Sequence, residues 1–242
     1  DAAALLQVGA AVDRADACQC LNWHEVYTTY GLECGPKGPE LAWMAKEELA
    51  AGAAAGGYMS GYIEEFCTRF YQRRSDNFCT QLNIEEAERP EQWCYVSPAC
   101  GALNGGDQAG SLKWKICTPE ADAMLSSLSP ARLHELAETQ KLDPGLVPKM
   151  AYPVHTVKWN EALLCYRGKG NATDCEKVKE VEAAAKPMVW GDDNPPFGIS
   201  IGKTLYVAEF TKWFRDMLTS GHETWSDPAK AVRYKCVKDC PL

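Results

Sequence analysis

The sequence predicts a mainly α-helical, disulfide-rich fold, in which helices are joined by a small β-hairpin and long stapled loops. Three observations predict it. Twelve cysteines are spread along 242 residues. Residues 118–242 carry long runs with helical periodicity. Strand signals are few and short. At ~100–200 residues per domain the chain makes one large or two small domains. A cysteine-rich region, 1–117, and a helical region, 118–242, are the two parts, readable also as one continuous domain.

Residues 1 to about 17 are Ala-rich and read as an arm or short helix. "ELAWMAKEELA" (40–50) consists of strong helix formers. In "YMSGYIEEFCTRFYQRR" (58–74), Tyr58, Tyr62, Phe66 and Phe70 repeat at i, i+4, which predicts a helix. "WCYV" (93–96) and "KWKIC" (113–117) predict two strands pairing across the Gly-rich loop 101–110. "SPARLHELAETQKL" (129–142) opens with Ser then Pro, a helix-start signal. "TVKWNEALLCYR" (156–167) and "TDCEKVKEVEAAAK" (173–186), separated by "GKGNA", predict an αα-hairpin. "KTLYVAEFTKWFRDMLTSG" (203–221) predicts an amphipathic helix stopped by Gly221.

The formal charge is −8 and the pI near 5.1. An acidic chain without a basic stripe makes nucleic acid a poor partner. Abundant, even-numbered cysteine points to an oxidising compartment, and all twelve are expected in disulfides: Cys18, Cys20, Cys34, Cys67, Cys79, Cys94, Cys100, Cys117, Cys165, Cys175, Cys236 and Cys240. Cys165 and Cys175 bracket the predicted helical hairpin, so a bridge there would staple it. Cys94 and Cys100 bracket a Pro-containing turn and are a candidate pair. Zinc fits poorly: of the cysteine spacings only Cys236-x3-Cys240 suits a ligand pair, and the histidines at 24, 134, 155 and 222 are scattered. No metal and no cofactor is expected. The acidic groups 83–91 and 191–194 lack the spacing of a calcium loop and read as solvated turns.

The least polar stretch, residues 49–63, is fifteen residues of mostly Ala and Gly, whereas a bilayer span needs ~20 apolar ones. No transmembrane segment is expected. The start, "DAAALLQVGAAVDRADA", has no initiator Met and no basic run and reads as a mature chain. Asn171-Ala172-Thr173 is a glycosylation candidate.

"GISIGKT" (198–204) invites two catalytic readings. Gly198-x-Ser200-x-Gly202 fits a nucleophile elbow, with Ser200 as the candidate catalytic residue of a secreted hydrolase. Gly202-Lys203-Thr204 resembles the end of a phosphate-binding loop. Neither motif has its context. The first glycine of the phosphate loop is replaced by Phe197, and "VWGDDNPPF" upstream is a poor central strand. Asp216 and His222 follow too closely for triad partners converging from separate loops. The plain reading is a flexible lead into the helix. Within that helix Tyr206, Phe210, Trp213, Phe214 and Met217 fall at i, i+4, i+7, i+8 and i+11, one aromatic face. They are the candidate protein-binding residues. Eight tryptophans offer a further possibility. Trp23, Trp93 and Trp114 adjoin cysteines and would either fill a small core or present a patch for a glycan or pigment.

"CQCLNWHEVY", "EFCTRFY", "QWCYVSPAC" and "LKWKIC", all within 18–117, together resemble a cysteine- and tryptophan-rich pattern of exported and plastid-lumen proteins of dinoflagellate algae. The resemblance implies an extracytoplasmic setting, thylakoid lumen or secreted. It also implies a role as an extrinsic lumenal subunit of a photosynthetic membrane complex, and it carries no catalytic or pigment-ligating residue. The expectation is a non-enzymatic accessory or assembly protein whose partner is a larger, membrane-associated complex.

Overall fold

A computed structural model describes residues 16–41, 61, 63–82, 91–191, 194–220 and 227–241. It corrects the expected fold class. The architecture is mixed α/β with two sheets and is not mainly helical.

The first sheet has the order β1-β2-β4-β3. β1 is Thr80–Gln81, β2 Gln92–Val96, β3 Gln108–Ala109 and β4 Leu112–Ile116. The pairing of "WCYV" with "KWKIC" is as expected, antiparallel, with Trp93 opposite Ile116 and Tyr95 opposite Trp114. α1 (Trp23–Thr28) packs on this layer. Its first turn is closed by the Asn22 Oδ1, which accepts from the amides of His24 and Glu25.

The core here is aromatic. Trp23 and Trp93 meet edge to face at 5.0 Å, and Trp93 meets Tyr95 at 5.0 Å. Both tryptophans are buried and Trp114 is half-buried. These rings fill a core and present no patch. Arg74 is wholly buried among them, 5.0 Å from the Trp23 ring and 5.1 Å from the Phe70 ring. Such burial of a guanidinium requires compensation. Asp76 supplies it in an ion pair, and the Phe78 carbonyl accepts from Arg74 Nη2 at 2.8 Å.

The predicted helix over 58–74 is replaced by short pieces: a π-helical turn, Ile63–Thr68, and a 3-10 turn, Tyr71–Arg73. Residues 58–60 and 62 lie outside the described residues, as do 42–50 of the expected helix over 40–50, whose first residues form a 3-10 turn, Pro39–Leu41. The expected arm falls outside them too, apart from a 3-10 turn at Asp16–Cys18.

The second half contains the helices expected over 129–142 and 156–186. α2 (Pro130–Gln140) has Ser129 as N-cap and Pro130 in its first turn, and buries Leu133 and Ala137. After the short α3 (Val147–Ala151), α4 (Trp159–Tyr166) and α5 (Ala172–Ala184) form the αα-hairpin, stapled by Cys165–Cys175.

Between and after these helices runs a sheet the sequence reading missed, of order β5-β6-β7-β8-β9. β5 is Val154–His155, β6 Pro187–Trp190, β7 Phe197–Ile201, β8 Thr204–Phe210 and β9 Val232–Lys238. β5 joins β6 in parallel and the other neighbours are antiparallel. The expected helix over 203–221 is therefore two elements: β8, then α6 (Lys212–Ser220). The β8–β9 ladder has a register shift at Leu205/Tyr206, where the extra residue, Val237, belongs to β9. β8 runs in unbroken register with β7 and has one buried residue on each face, Leu205 and Ala208, whose spacing of three imitates a helical repeat and hides the period of two.

Buried residues from both halves, Trp23 through Val232, belong to one hydrophobic cluster.

All twelve cysteines are paired: Cys18–Cys100, Cys20–Cys94, Cys34–Cys67, Cys79–Cys117, Cys165–Cys175 and Cys236–Cys240. The candidate Cys94–Cys100 pair does not form. Cys94 lies within β2 and bridges to Cys20, and Cys100 beyond the following turn bridges to Cys18. Long loops are closed in the first half, with separations of 82 and 74 residues. Bridges of this number mark a disulfide-stabilised protein of an oxidising, extracytoplasmic compartment. Among the described residues no helix is long and apolar enough to cross a membrane.

Candidate functional site

"GISIGKT" forms a β-hairpin. β7 and β8 pair Ile201 with Thr204, leaving Gly202-Lys203 as a two-residue turn. Gly202 has φ +55°, the positive value that the first position of a II′ turn requires. Gly198 is there for a different reason. A Cβ at this position would come within 2.3 Å of the Trp159 ring, which lies against the β7 backbone. Ser200 is fully buried in mid-strand, and its Oγ accepts a hydrogen bond from Trp190 Nε1 at 2.9 Å. Each residue of the G-x-S-x-G pattern thus has a packing or turn role, and the stretch lacks the strand–turn–helix geometry of an elbow. It is not a flexible lead into a helix either. Thr204 Oγ1 donates to the Asp239 carbonyl, tying the hairpin to the end of β9. Asp216 is exposed on α6 in an ion pair with Lys212, and His222 lies outside the described residues.

The five residues predicted to share one helix face are divided between two elements. Tyr206 and Phe210 belong to β8, with Tyr206 held between Ile199 and Cys236, and only Trp213, Phe214 and Met217 are on a helix. α6 leaves the end of β8 at Thr211, whose amide donates to the Ala231 carbonyl. The Thr211 hydroxyl donates to the Lys230 carbonyl and accepts from the Phe214 amide, capping the helix. This anchors α6 so that Phe214 turns inward against Phe210, ring centroids 4.8 Å apart. Trp213 remains 43% exposed and Leu218 58% exposed, at the two borders of the apolar stripe. Leu218 is a member of the face that the sequence reading left out, although it follows Phe214 at i+4, the spacing that signals a shared helix face.

Beside this face lies a cleft of about 240 Å³, in which Phe210, Phe214 and Leu218 meet Glu65, Asp143 and Lys149. Burial pushes the Asp143 carboxyl above the usual aspartate range. The Gly145 amide, 2.7 Å from its Oδ1, and the cations Arg69 and Lys149 act in the opposite direction. The cleft thus sets apolar side chains of β8 and α6 against charged groups of the facing segments.

A second cleft, about 330 Å³, is lined by Leu32, Lys37, Gly38, Tyr95 and Gly110. Next to it, Glu40 is fully buried, and its Oε1 accepts from the hydroxyls of Tyr27 at 2.8 Å and Tyr95 at 2.7 Å. Burial raises its carboxyl above the ordinary value despite these donors. The network ties the 3-10 turn at Pro39–Leu41 to α1 and β2.

The remaining candidates are placed as follows. Asn171 is exposed and is the N-cap of α5, its Oδ1 accepting from the Asp174 amide at 2.9 Å. His155 Nδ1 accepts from the Val157 amide at 3.0 Å, and burial together with Lys177 keeps its pKa low, as an acceptor nitrogen requires. His134 lies 3.7 Å from Glu138 on α2. Most of the acidic groups 83–91 and 191–194 lies outside the described residues. Cys236–Cys240, the spacing that best suited zinc, is a disulfide. Spacing also failed to show that four cysteines distant in sequence, Cys20, Cys79, Cys94 and Cys117, come together, with their sulfurs all within 4.8 Å.

No family model, curated protein or solved structure matches the chain.

Proposed function

We propose that this protein is a non-enzymatic accessory subunit that docks through the α6 face onto a larger protein complex of its oxidising compartment. The observation that carries the proposal is the half-seated helix. Phe214 anchors α6 to the sheet, while Trp213 and Leu218 keep apolar surface in water. Exposed aromatic and aliphatic anchors beside a cleft are what interface centres are made of. The partner we infer is a protein segment with apolar anchors and acidic flanks. The chain is acidic as a whole, yet residues 228–240 hold four basic side chains and one acidic one. Arg215 on α6 directs its guanidinium to the Phe210 carbonyl. Lys235 on β9 has no ion-pair partner among the described residues. Their charge is left to steer an acidic partner. The resemblance of 18–117 to dinoflagellate plastid-lumen proteins supports an extrinsic site on a photosynthetic complex in the thylakoid lumen.

The test is purification of the native protein from the membranes of its source cells. The proposal expects co-elution with one complex at fixed stoichiometry, with retention weakening as salt is raised. Isolation as a free monomer at low salt would overturn it.

A further inference from the structure

We propose that Cys20, Cys79, Cys94 and Cys117 form a redox-gated zinc site: bridged in pairs in the oxidised chain, and a tetrathiolate that holds one Zn²⁺ when both bridges are reduced.

The two disulfides lie side by side. Cys20 Sγ lies 3.4 Å from Cys79 Sγ and 3.9 Å from Cys117 Sγ, across the two bridges. All four sulfurs lie within 4.8 Å of one another. A tetrahedral zinc with Zn–S bonds of ~2.3 Å places its sulfurs ~3.8 Å apart. Once the S–S bonds open, side-chain rotations bring the group to that spacing.

The backbone is held without the bridges. The Cys79 amide donates to the Ala123 carbonyl at 2.8 Å, and the Leu125 amide donates to the Cys79 carbonyl at 2.9 Å. The Cys117 amide donates to the Gln92 carbonyl at 2.8 Å, and next to Cys20 the Leu21 amide donates to the Tyr95 carbonyl at 2.8 Å. Cys94 sits inside β2, opposite Lys115 of β4. Four ligands therefore arrive from four separate segments whose positions the sheet fixes. Lys115 is buried beside them, its Nζ 2.6 Å from Asp122 Oδ1, which itself lies 3.9 Å from Cys20 Sγ. The ammonium offsets part of the double negative charge of a zinc tetrathiolate, and the carboxylate offsets part of that ammonium.

Cys20 is the most accessible of the four, the other three being buried, so a thiolate or phosphine attacks there first. With a small dithiol as reductant, each bridge accepts two electrons and two protons to become two thiols, and the dithiol becomes a cyclic disulfide. Zinc then forms four Zn–S bonds as the four thiols release four protons. The oxidised chain has no thiolate to offer, so metal binding reports the redox state of the compartment.

The test uses the full wild-type chain. It is reduced anaerobically with a phosphine, which takes up oxygen from water to become the phosphine oxide. It is then loaded with one equivalent of Zn²⁺ and exposed to a maleimide, and each cysteine's rate of alkylation is read by peptide mapping. The proposal expects Cys20, Cys79, Cys94 and Cys117 to be slowed by about tenfold or more against a metal-free control, with the other eight unchanged. Co²⁺ in place of Zn²⁺ should give thiolate-to-cobalt charge-transfer absorption at one ion per chain. Protection of a different set of cysteines, protection of none, or equal metal uptake by the unreduced chain would each overturn it.

Discussion

Ser200→Ala removes one oxygen from the middle of β7, and the structure fixes what that oxygen does. Ser200 and Trp190 are both wholly buried, and the hydroxyl oxygen accepts from the Trp190 indole at 2.9 Å. The indole cannot turn to find another acceptor. Its ring lies 5.0 Å from that of His155 and edge-on to Tyr166 at 6.4 Å. Truncation therefore leaves a buried N–H without its acceptor, a loss of about 1–3 kcal/mol. For a chain of this size that is a fall in melting temperature of roughly 2–12 °C. Denaturant titration under non-reducing conditions measures it. In the Trp190→Phe background the donor is gone, so Ser200→Ala should cost about 1 kcal/mol less than in the wild type. A cost below about 0.5 kcal/mol in the wild type, or an equal cost in both backgrounds, would refute the pairing. The buried hydroxyl should also stay unlabelled by a fluorophosphonate in the folded chain, and labelling of Ser200 would revive the hydrolase reading.

Three further outcomes are expected. The chain denatured without reductant should show no free thiol, and four or more would break the disulfide framework. Gly198→Ala forces a methyl into the Trp159 ring and should cost about 1–3 kcal/mol by thermal melting; a neutral effect would show that the ring does not pack on β7. Asp76 titrates with a defined sign: burial pushes its carboxyl up, but Arg74 and the Phe78 amide outweigh this and hold it below its ordinary 3.8. It thus contributes stability that is present above pH 3.8 and lost as pH falls through the lower folded value. Asp76→Asn should flatten that acid limb in unfolding titrations, and Asp76→Ala, which strands buried Arg74, should cost about 3–5 kcal/mol.

Legibility in the sequence followed the locality of each signal. Caps and short hairpins were readable: Ser129-Pro130 opens α2, and the turn between Cys165 and Cys175 stands where a bridge could staple it. The β2–β4 pair was readable because its two apolar runs are bounded by a Gly-rich loop. β5–β9 were not. Burial of one residue on each face of β8, Leu205 and Ala208, masked its period of two, and Gly202-Lys203, a two-residue hairpin signal, was weighed as a catalytic motif instead of a turn. The four-sulfur cluster could not be read from spacing, because its members come from four segments distant in sequence, with only Cys94 inside a strand. The α6 face was legible as an aromatic stripe, but its boundary depended on where β8 ends and α6 begins.

The most direct test of the docking reading is Leu218→Lys, measured for stability and for retention of the complex in the same preparation. Leu218 is 58% exposed, at the outer border of the α6 stripe, and lysine keeps the helix propensity of leucine. The account predicts a melting temperature within about 2 °C of wild type. It predicts that binding to the co-purifying complex weakens by about 2 kcal/mol or more, roughly thirtyfold. Retention unchanged at unchanged stability would contradict the claim that this face is the docking surface.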